Sequence, residues 1–554
     1  MSRDPARRAE AEAARALQAA KNAAQAWDEF QEYEERRLKG WSHFSRRHKV
    51  SVVARTAEQM ALPLHAKRVP ALSLDRVMSL LPPDLRRRIQ QLLCSTLVNS
   101  GGGHRLTAPA KDAEELVAAG YCSEWTPSGT AYSPVEYFTV EEAVKQRRRP
   151  IFWPKFLLQR SKYLSAFTLP SVSEYRRCVH DGEFAAAFDL AASFAQVELP
   201  EASNLVFKAE NGKLYRLNRL PYGIDVAPEI MQIISEALGR EAARGLDVKL
   251  KTHIDNVMAV GSQDAVAAWA AAFKRVAAGA GATLNVEEAN TPAQQIDFVG
   301  IRFDFGAKTV ALKQHFLAKV SNLEDVHSLE RFESLMGRLT YAYAVLGRSW
   351  LPVYYVIQWW RRVLSRLAKG ELRWTDEFKP PPFITRAVPR MIDAVRANEP
   401  AQVPLREAPQ LTLATDASMS GWGAVLMRTG DLPLSFGSRY DEEPPNITWA
   451  ETAAVVGALC RFEDDLAGRT FTLLIDNTSS EAVLRSQRPG TSPGHNAVAL
   501  RVLQQLDHMR ATMYVARVGT HDNVADEVSR GRPIVAAKAA HCLQLGIDYD
   551  WAKG

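Results

Sequence analysis

Leu411-Thr412-Leu413-Ala414-Thr415-Asp416-Ala417-Ser418-Met419-Ser420-Gly421-Trp422-Gly423-Ala424-Val425-Leu426-Met427 reads as two strands, Leu411–Thr415 and Trp422–Met427, folded together through a Ser-Gly turn. Asp416 closes the first of them. Downstream the pattern runs strand, helix, strand, helix, a longer helix and a last strand. Thr448–Phe462 has the texture of a helix, and the short apolar Phe471–Ile475 that of a buried strand. A lone acid after a strand is more often a turn residue than a ligand. Four acids in order on such elements carry more weight.

Those acids are Asp416, Glu451 in Ile447-Thr448-Trp449-Ala450-Glu451, Asp476 in Ile475-Asp476-Asn477-Thr478, and Asp526 in Asn523-Val524-Ala525-Asp526-Glu527-Val528-Ser529-Arg530. They follow one another at intervals of 35, 25 and 50 residues. Asp416 and Asp476 stand at strand ends, Glu451 one turn into a helix, and Asp526 at the start of the last helix, where a simple capping acid is the alternative. Carboxylates converging at a sheet edge can hold two magnesium ions for phosphodiester hydrolysis. The set resembles the ribonuclease H of retroelements, a mixed five-stranded sheet with helices that cuts RNA in an RNA–DNA hybrid. Asp-Ala-Ser-x-x-Gly-Trp-Gly-Ala, Asp-Asn-Thr at 476–478 and the ending Asn-x-x-Ala-Asp-x-x-Ser-Arg are most similar to DIRS-group and VIPER elements, the tyrosine-recombinase retrotransposons. His521 is a candidate for the mobile histidine such nucleases often carry, against an ordinary loop histidine.

Upstream, three segments stand in a fixed order: Phe188-Asp189-Leu190-Ala191-Ala192-Ser193-Phe194-Ala195-Gln196, Leu220-Pro221-Tyr222-Gly223-Ile224-Asp225-Val226-Ala227-Pro228, and His253-Ile254-Asp255-Asn256. Asp189 closes the apolar run Phe184–Phe188. Asp255 lies at a bend between Val248–Ile254 and Val257–Val260, as in a hairpin. Nucleotide addition needs a few hard oxygen ligands on rigid strand ends, because magnesium keeps waters and substrate phosphates in its shell.

The ordered set resembles the palm of retroelement reverse transcriptases. Ile296–Ile301 is similar to the primer-grip strand that follows it, and Phe332–Leu346 to the thumb. The resemblance implies that Asp189 and Asp255 bind metal, with Leu190 offering a carbonyl. Phe194 would be the aromatic gate that excludes a ribose 2′-hydroxyl, and Tyr222 and Gly223, with Gln196 and Asn256, would face nucleotide or template. Arg147, Arg148 and Arg149, ahead of Ile151-Phe152, would hold the triphosphate, as Arg suits bidentate phosphate contacts. A solvated basic loop is the other reading. Two departures stand out: Asn256 replaces the second aspartate of the hairpin, and Glu288 replaces a lysine near the leaving pyrophosphate. They keep open a domesticated, polymerase-dead nucleic-acid binder, or a chain with only the ribonuclease H active.

The bulk composition agrees with such a protein. The chain has 554 residues, 46% hydrophobic and 24% charged, with a formal charge of +6 and a pI near 8.9. That is ordinary for a globular protein, with a mild basic excess suited to nucleic acid. Five scattered cysteines without a C-x-x-C argue against a disulfide framework or zinc ribbon. No apolar run nears the ~18 residues of a membrane span. The expected organisation is a helical extension (1–47), a region of unassigned role (48–145), fingers and palm (146–305), thumb (306–372), a connection (373–405), the ribonuclease H domain (406–532) and a tail (533–554). The fold class is α+β and α/β, a right-hand polymerase followed by the nuclease. The expected function is RNA-directed DNA polymerase with ribonuclease H activity, using Mg2+ or Mn2+. Its partners would be an RNA template, a DNA primer, the RNA–DNA hybrid, deoxynucleoside triphosphates and other retroelement proteins, within the cytoplasm or nucleus and away from membranes. Lys155–Arg160 and Arg361–Arg366 are candidate backbone contacts, or solvated helix faces.

Overall fold

Phe184–Asp189 (β1) is a run of small and aromatic residues that forms the edge strand of a three-stranded antiparallel sheet. Val248–His253 (β2) and Asn256–Gly261 (β3) make a hairpin, and β3 lies in the middle. The register places Asp189 opposite Asn256 and His253 opposite Asn256 on the other side. Two helices, Ala227–Ala242 (α1) and Gln263–Gly279 (α2), cover the sheet. Phe188 stacks on Phe273 at 4.8 Å and lies 5.6 Å from Trp269, and both partners are fully buried. Aromatic packing of this kind fixes β1 at the end where Asp189 emerges.

The computed structural model describes residues 61–97, 103–127, 132–142, 145–154, 168–201, 203–285, 290–405, 407–487, 490 and 492–550. The expected helix over 1–47, the basic stretch Lys155–Arg160 and Glu288 lie outside the described residues. The chain divides into two compact units, one spanning Val50–Lys313 and the other containing Gln314–Gly554. The first unit also holds a four-stranded sheet built from Cys122–Trp125, Leu214–Leu217, Leu205–Lys208 and Ser133–Pro134, the hairpin Glu136–Glu142 with Arg147–Trp153, and the strands Gln295–Phe298, Ile301–Asp304 and Thr309–Leu312. The expected thumb boundary at 306 cuts through the last hairpin, where Ile301 pairs with Leu312. The polar turn between those strands hides their pairing from a local reading.

In the second unit the chain from Leu411 forms a mixed five-stranded sheet. Leu411–Ala417 (β4), Gly421–Met427 (β5), Leu434–Arg439 (β6), Thr470–Ile475 (β7) and Thr512–Arg517 (β8) lie in the order β6-β5-β4-β7-β8. β6, β5 and β4 are antiparallel, and β4, β7 and β8 are parallel. Ile447–Arg461 (α3), Thr478–Ser486 (α4) and Pro493–Met509 (α5) follow the strands as crossovers. β4 is buried along its whole length. Leu411 and Leu413 enter the core under α3 and α5, and Ala414 enters the opposite core. A strand covered on both faces is the expected cost of a parallel crossover.

Two expected segments take a different form. Residues 533–554, expected as a tail, contain the helix Ala536–Ile547 (α7), whose Ala539 and Cys542 close the second face of the sheet. Gly546 permits that contact, since a Cβ there would stand 2.0 Å from Thr412 Oγ1. The expected connection 373–405 contains a buried helix, Pro382–Ala397. Pro382 sits in the first turn, where proline suits a helix, and the internal Pro389 masked the rest. Among the described residues no helix is long and apolar enough to cross a membrane.

Candidate active sites

Asp416, Glu451 and Asp476 come together at one end of the five-stranded sheet, each offering an oxygen within 4.8 Å of the others. Parallel pairing of β4 with β7 brings Asp416, near the end of β4, beside Asp476, the residue that follows β7. Asn446 caps α3 by accepting from the Trp449 N–H at 2.9 Å, which sets Glu451 one turn in. Asn477 caps α4, accepting from the N–H groups of Ser479 and Ser480 at 3.1 and 3.0 Å. Both caps satisfy amides that a helix start leaves open.

The three acids repel one another in a buried setting. Burial, then Asp476 and Asp526, push Asp416 up to about 6. Burial, then Asp416 and Asp476, push Glu451 up to about 9. Glu451 Oε2 is buried without a hydrogen-bond partner. An orphaned carboxylate oxygen facing two more carboxylates fits a divalent cation, which would relieve both penalties. Asp526 stands near enough to raise both neighbours, yet it accepts from Arg530 Nε and Nη2 at 3.0 and 2.8 Å and is outside the three-acid cluster. It lies in a five-residue helix, Ala525–Ser529 (α6), and α7 follows, so it does not begin the last helix. His521 lies in an exposed turn ahead of that helix.

Ser529 belongs to this site and was read only as part of a motif. Its hydroxyl donates to Asp416 Oδ2 at 2.5 Å. Asn523, fully buried, donates from Nδ2 to the Thr415 carbonyl at 2.9 Å and ties the α6 approach to β4.

In the first unit, β1 and β3 bring Asp189 to the hairpin that carries Asp255, and the Leu190 N–H donates to the Asp255 carbonyl at 3.2 Å. Asp255 accepts from Ser193 Oγ at 2.7 Å and from Asn256 Nδ2 at 3.2 Å. Ile254 in the turn has φ 56°, a left-handed conformation costly for a β-branched residue. Gln232 Oε1 holds it there by accepting from its N–H at 2.6 Å. Asp189 accepts from Asn285 Nδ2 at 2.5 Å.

Phe194 meets Tyr222 edge to face at 4.7 Å, and the Arg149 guanidinium lies over the Tyr222 ring at 4.7 Å. The Tyr222 carbonyl accepts from Phe152 N at 2.7 Å. Gly223, at φ 107°, lies so close to that strand that a Cβ would stand 2.4 Å from the Phe152 carbonyl. Phe194, Tyr222, Gly223 and Arg149 thus form one group. Arg147 pairs with Glu142 at 2.5 Å, and Arg149 pairs with the same carboxylate.

Two expected contacts are structural instead. Arg148 is buried, bonding Asp112 through Nη1 and Nη2 at 2.8 and 2.9 Å and the Leu62 carbonyl at 2.8 Å. Gln196 is fully buried: Nε2 donates to the carbonyls of Ala191 and Thr283 at 2.6 and 2.9 Å, and Oε1 accepts from Thr283 N at 2.8 Å. Both side chains are buried and committed to partners within the protein, so neither is presented to nucleotide or template.

Residues 408–506 match the family model of the RNase H-like domain found in reverse transcriptase. The chain is 22% identical over 383 residues to the retrovirus-related Pol polyprotein from transposon 412 of Drosophila melanogaster, covering 66% of this chain and 28% of that one. It therefore spans well under half the length of this curated relative. Among solved structures, a foamy viral protease-reverse transcriptase in complex with double-stranded DNA aligns over 82% of this chain and 83% of its own, at 12% identity and TM-score 0.45. The foamy viral enzyme in complex with an RNA/DNA hybrid aligns over 82% and 64%, at 13% identity and TM-score 0.42. Residues 408–506 are thus similar to the RNase H-like domain of reverse transcriptases, and the chain is similar to part of a retroelement Pol polyprotein.

Proposed function

We propose that this chain is an RNA-directed DNA polymerase of a retroelement that also degrades the RNA strand of the hybrid it makes. The observation that carries the reading is the convergence of Asp416, Glu451 and Asp476 at the end of a mixed five-stranded sheet, inside the segment that matches a reverse-transcriptase RNase H-like domain. Asp189 and Asp255, with Leu190, are assigned to the polymerase site. Asp416, Glu451, Asp476 and Asp526 are assigned to the nuclease, Asp526 turning from Arg530 toward the cluster. Magnesium or manganese held by these carboxylates would activate the attacking oxygen and stabilise the leaving one.

The chain's own groups supply the rest. Phe194, braced by Tyr222, closes the space beside a deoxyribose and selects deoxynucleoside triphosphates. Arg149 and Arg147 face the triphosphate once released from Glu142. Tyr222 and Gly223 line the pocket, and the duplex is held through its backbone without regard to sequence. From the motif similarities of the nuclease we read the element as one of the tyrosine-recombinase group, with other element proteins as partners. A second reading, with the nuclease alone active, draws on Asn256, which donates to Asp255 where a second carboxylate would otherwise stand.

Primer extension on an RNA template, with magnesium and with manganese, separates the two. Asp189→Asn is expected to lower extension at least about a hundredfold while hybrid cleavage persists, and Asp416→Asn to do the reverse, since each removes several kcal/mol of charge stabilisation. A wild type that cuts a hybrid through Asp416 but never extends would leave the nuclease as the sole activity.

A further inference from the structure

We infer that Asn285 is the positioning residue for the polymerase aspartate Asp189, and that Gln196 is the anchor that delivers it. The inference rests on the polymerase reading above and adds to it the groups that fix the carboxylate.

Asp189 is the last residue of its strand. A side chain there can turn among staggered rotamers unless something fixes it. Asn285 restrains it from two sides. The Asn285 N–H donates to the Asp189 carbonyl at 2.8 Å, which fixes the backbone. Its Nδ2 donates to Asp189 Oδ2 at 2.5 Å, which fixes the carboxylate. A neutral amide suits the task, since it orients an anion without cancelling its charge. A lysine would compete with the cation, and an aspartate would repel its neighbour.

The amide is only as fixed as its segment, and that segment is clamped. Ala191 N donates to the Thr283 carbonyl at 2.9 Å, and Leu190 bridges Leu284. Gln196 bonds Thr283 through both its carbonyl and its N–H, with no exposure to solvent. The loop 190–196, which passes through a left-handed Ala192 at φ 46°, also sends Ser193 to Asp255. One short loop therefore places both aspartates, Asp255 directly through Ser193 and Asp189 through Gln196, Thr283 and Asn285. Satisfied buried networks of this kind hold one geometry, and groups that orient metal ligands typically change activity by about 10- to 100-fold when removed.

The test is pre-steady-state primer extension by the full chain, with hybrid cleavage as the internal control for folding. Asn285→Ala and Asn285→Asp, which keeps size and loses the donor, are expected to lower the burst rate about 10- to 100-fold. Burst amplitude, duplex affinity and hybrid cleavage should stay at wild-type values. Gln196→Ala should lower the same rate, and Gln196→Glu should repeat the loss with little change in volume. A fall in burst amplitude at unchanged rate would mean a folding defect and overturn the inference. Wild-type rates in both Asn285 variants, with Asp189→Asn inactive, would overturn it while leaving the polymerase reading intact. A wild type that never extends overturns that reading and this one together.

Discussion

Asn256 is where a single residue weighs most on the proposed polymerase site. Its amide donates to Asp255 Oδ1 at 3.2 Å, so it stabilises the carboxylate's charge yet adds none of its own. Asn256→Asp removes that donor and supplies a full negative charge, worth up to a few kcal/mol beside a divalent ion at protein-like dielectric. The half-saturating magnesium for primer extension is expected to fall about three- to tenfold, read from a magnesium titration of both forms. An unchanged requirement would mean that residue 256 faces away from the ions. The aspartates themselves were legible, because a strand-end acid is a local pattern. Gln196 and Arg148 were misread for the opposite reason: what occupies them is distant in sequence, Thr283 at 87 positions and Asp112 at 36. Asn285 and Ser529 escaped as site residues because each acts through an aspartate on another element.

At the scale of elements, the seat of α6 decides whether Asp526, the fourth acid proposed for the nuclease, is in reach. Gly423 and Gly437 are cross-strand partners on β5 and β6. A Cβ at Gly423 would stand 2.3 Å from Ser529 N, and one at Gly437 2.9 Å from the Val528 carbonyl. The backbone of α6 rests directly on this pair, which sets the approach of Ser529 to Asp416. Gly423→Ala is expected to push α6 away, cut hybrid cleavage more than about tenfold and cost about 1–3 kcal/mol of stability. Primer extension should be spared. Cleavage assays and denaturant unfolding of the variant check both halves, and full cleavage by Gly423→Ala would dissociate α6 from the chemistry. The order of strands and helices in this domain was readable from apolar runs and turns. The need for glycine at these two positions was not, since it arises from a helix about a hundred residues later. For the same reason α7 looked like a tail: its partner Thr412 is far upstream.

For the molecule as a whole, the second unit carries a pH dependence that the sequence does not announce. His495 is buried and its Nε2 lies 2.8 Å from Thr452 Oγ1, linking α5 to α3. Burial holds its imidazole down at about 4. The unfolded chain takes up that proton near 6.5, so between 6.5 and 4 the unfolded state binds more protons and stability falls as pH falls. Above 6.5 the full contribution is present, at most about 3 kcal/mol. Denaturant midpoints of wild type and His495→Gln, compared from pH 7.5 to 4.5, are expected to diverge, the variant showing the shallower decline. Parallel curves would mean that the imidazole is accommodated in its charged form.

The parallel register of β4 and β7 has a consequence for how this lineage can change. Leu411 faces Phe471 and Ala414 faces Leu474, so Asp416 and Asp476 leave the sheet on the same rung. One residue inserted within either strand would send its acid to the opposite face, and no compensating substitution nearby could return it. Gains and losses of sequence are free to accumulate in the turn at 428–433, on which none of the three clustered acids lies. Descendants should therefore differ in length at that turn while the two strands keep theirs, and alignment gaps falling inside the strands would mark copies whose acids no longer converge.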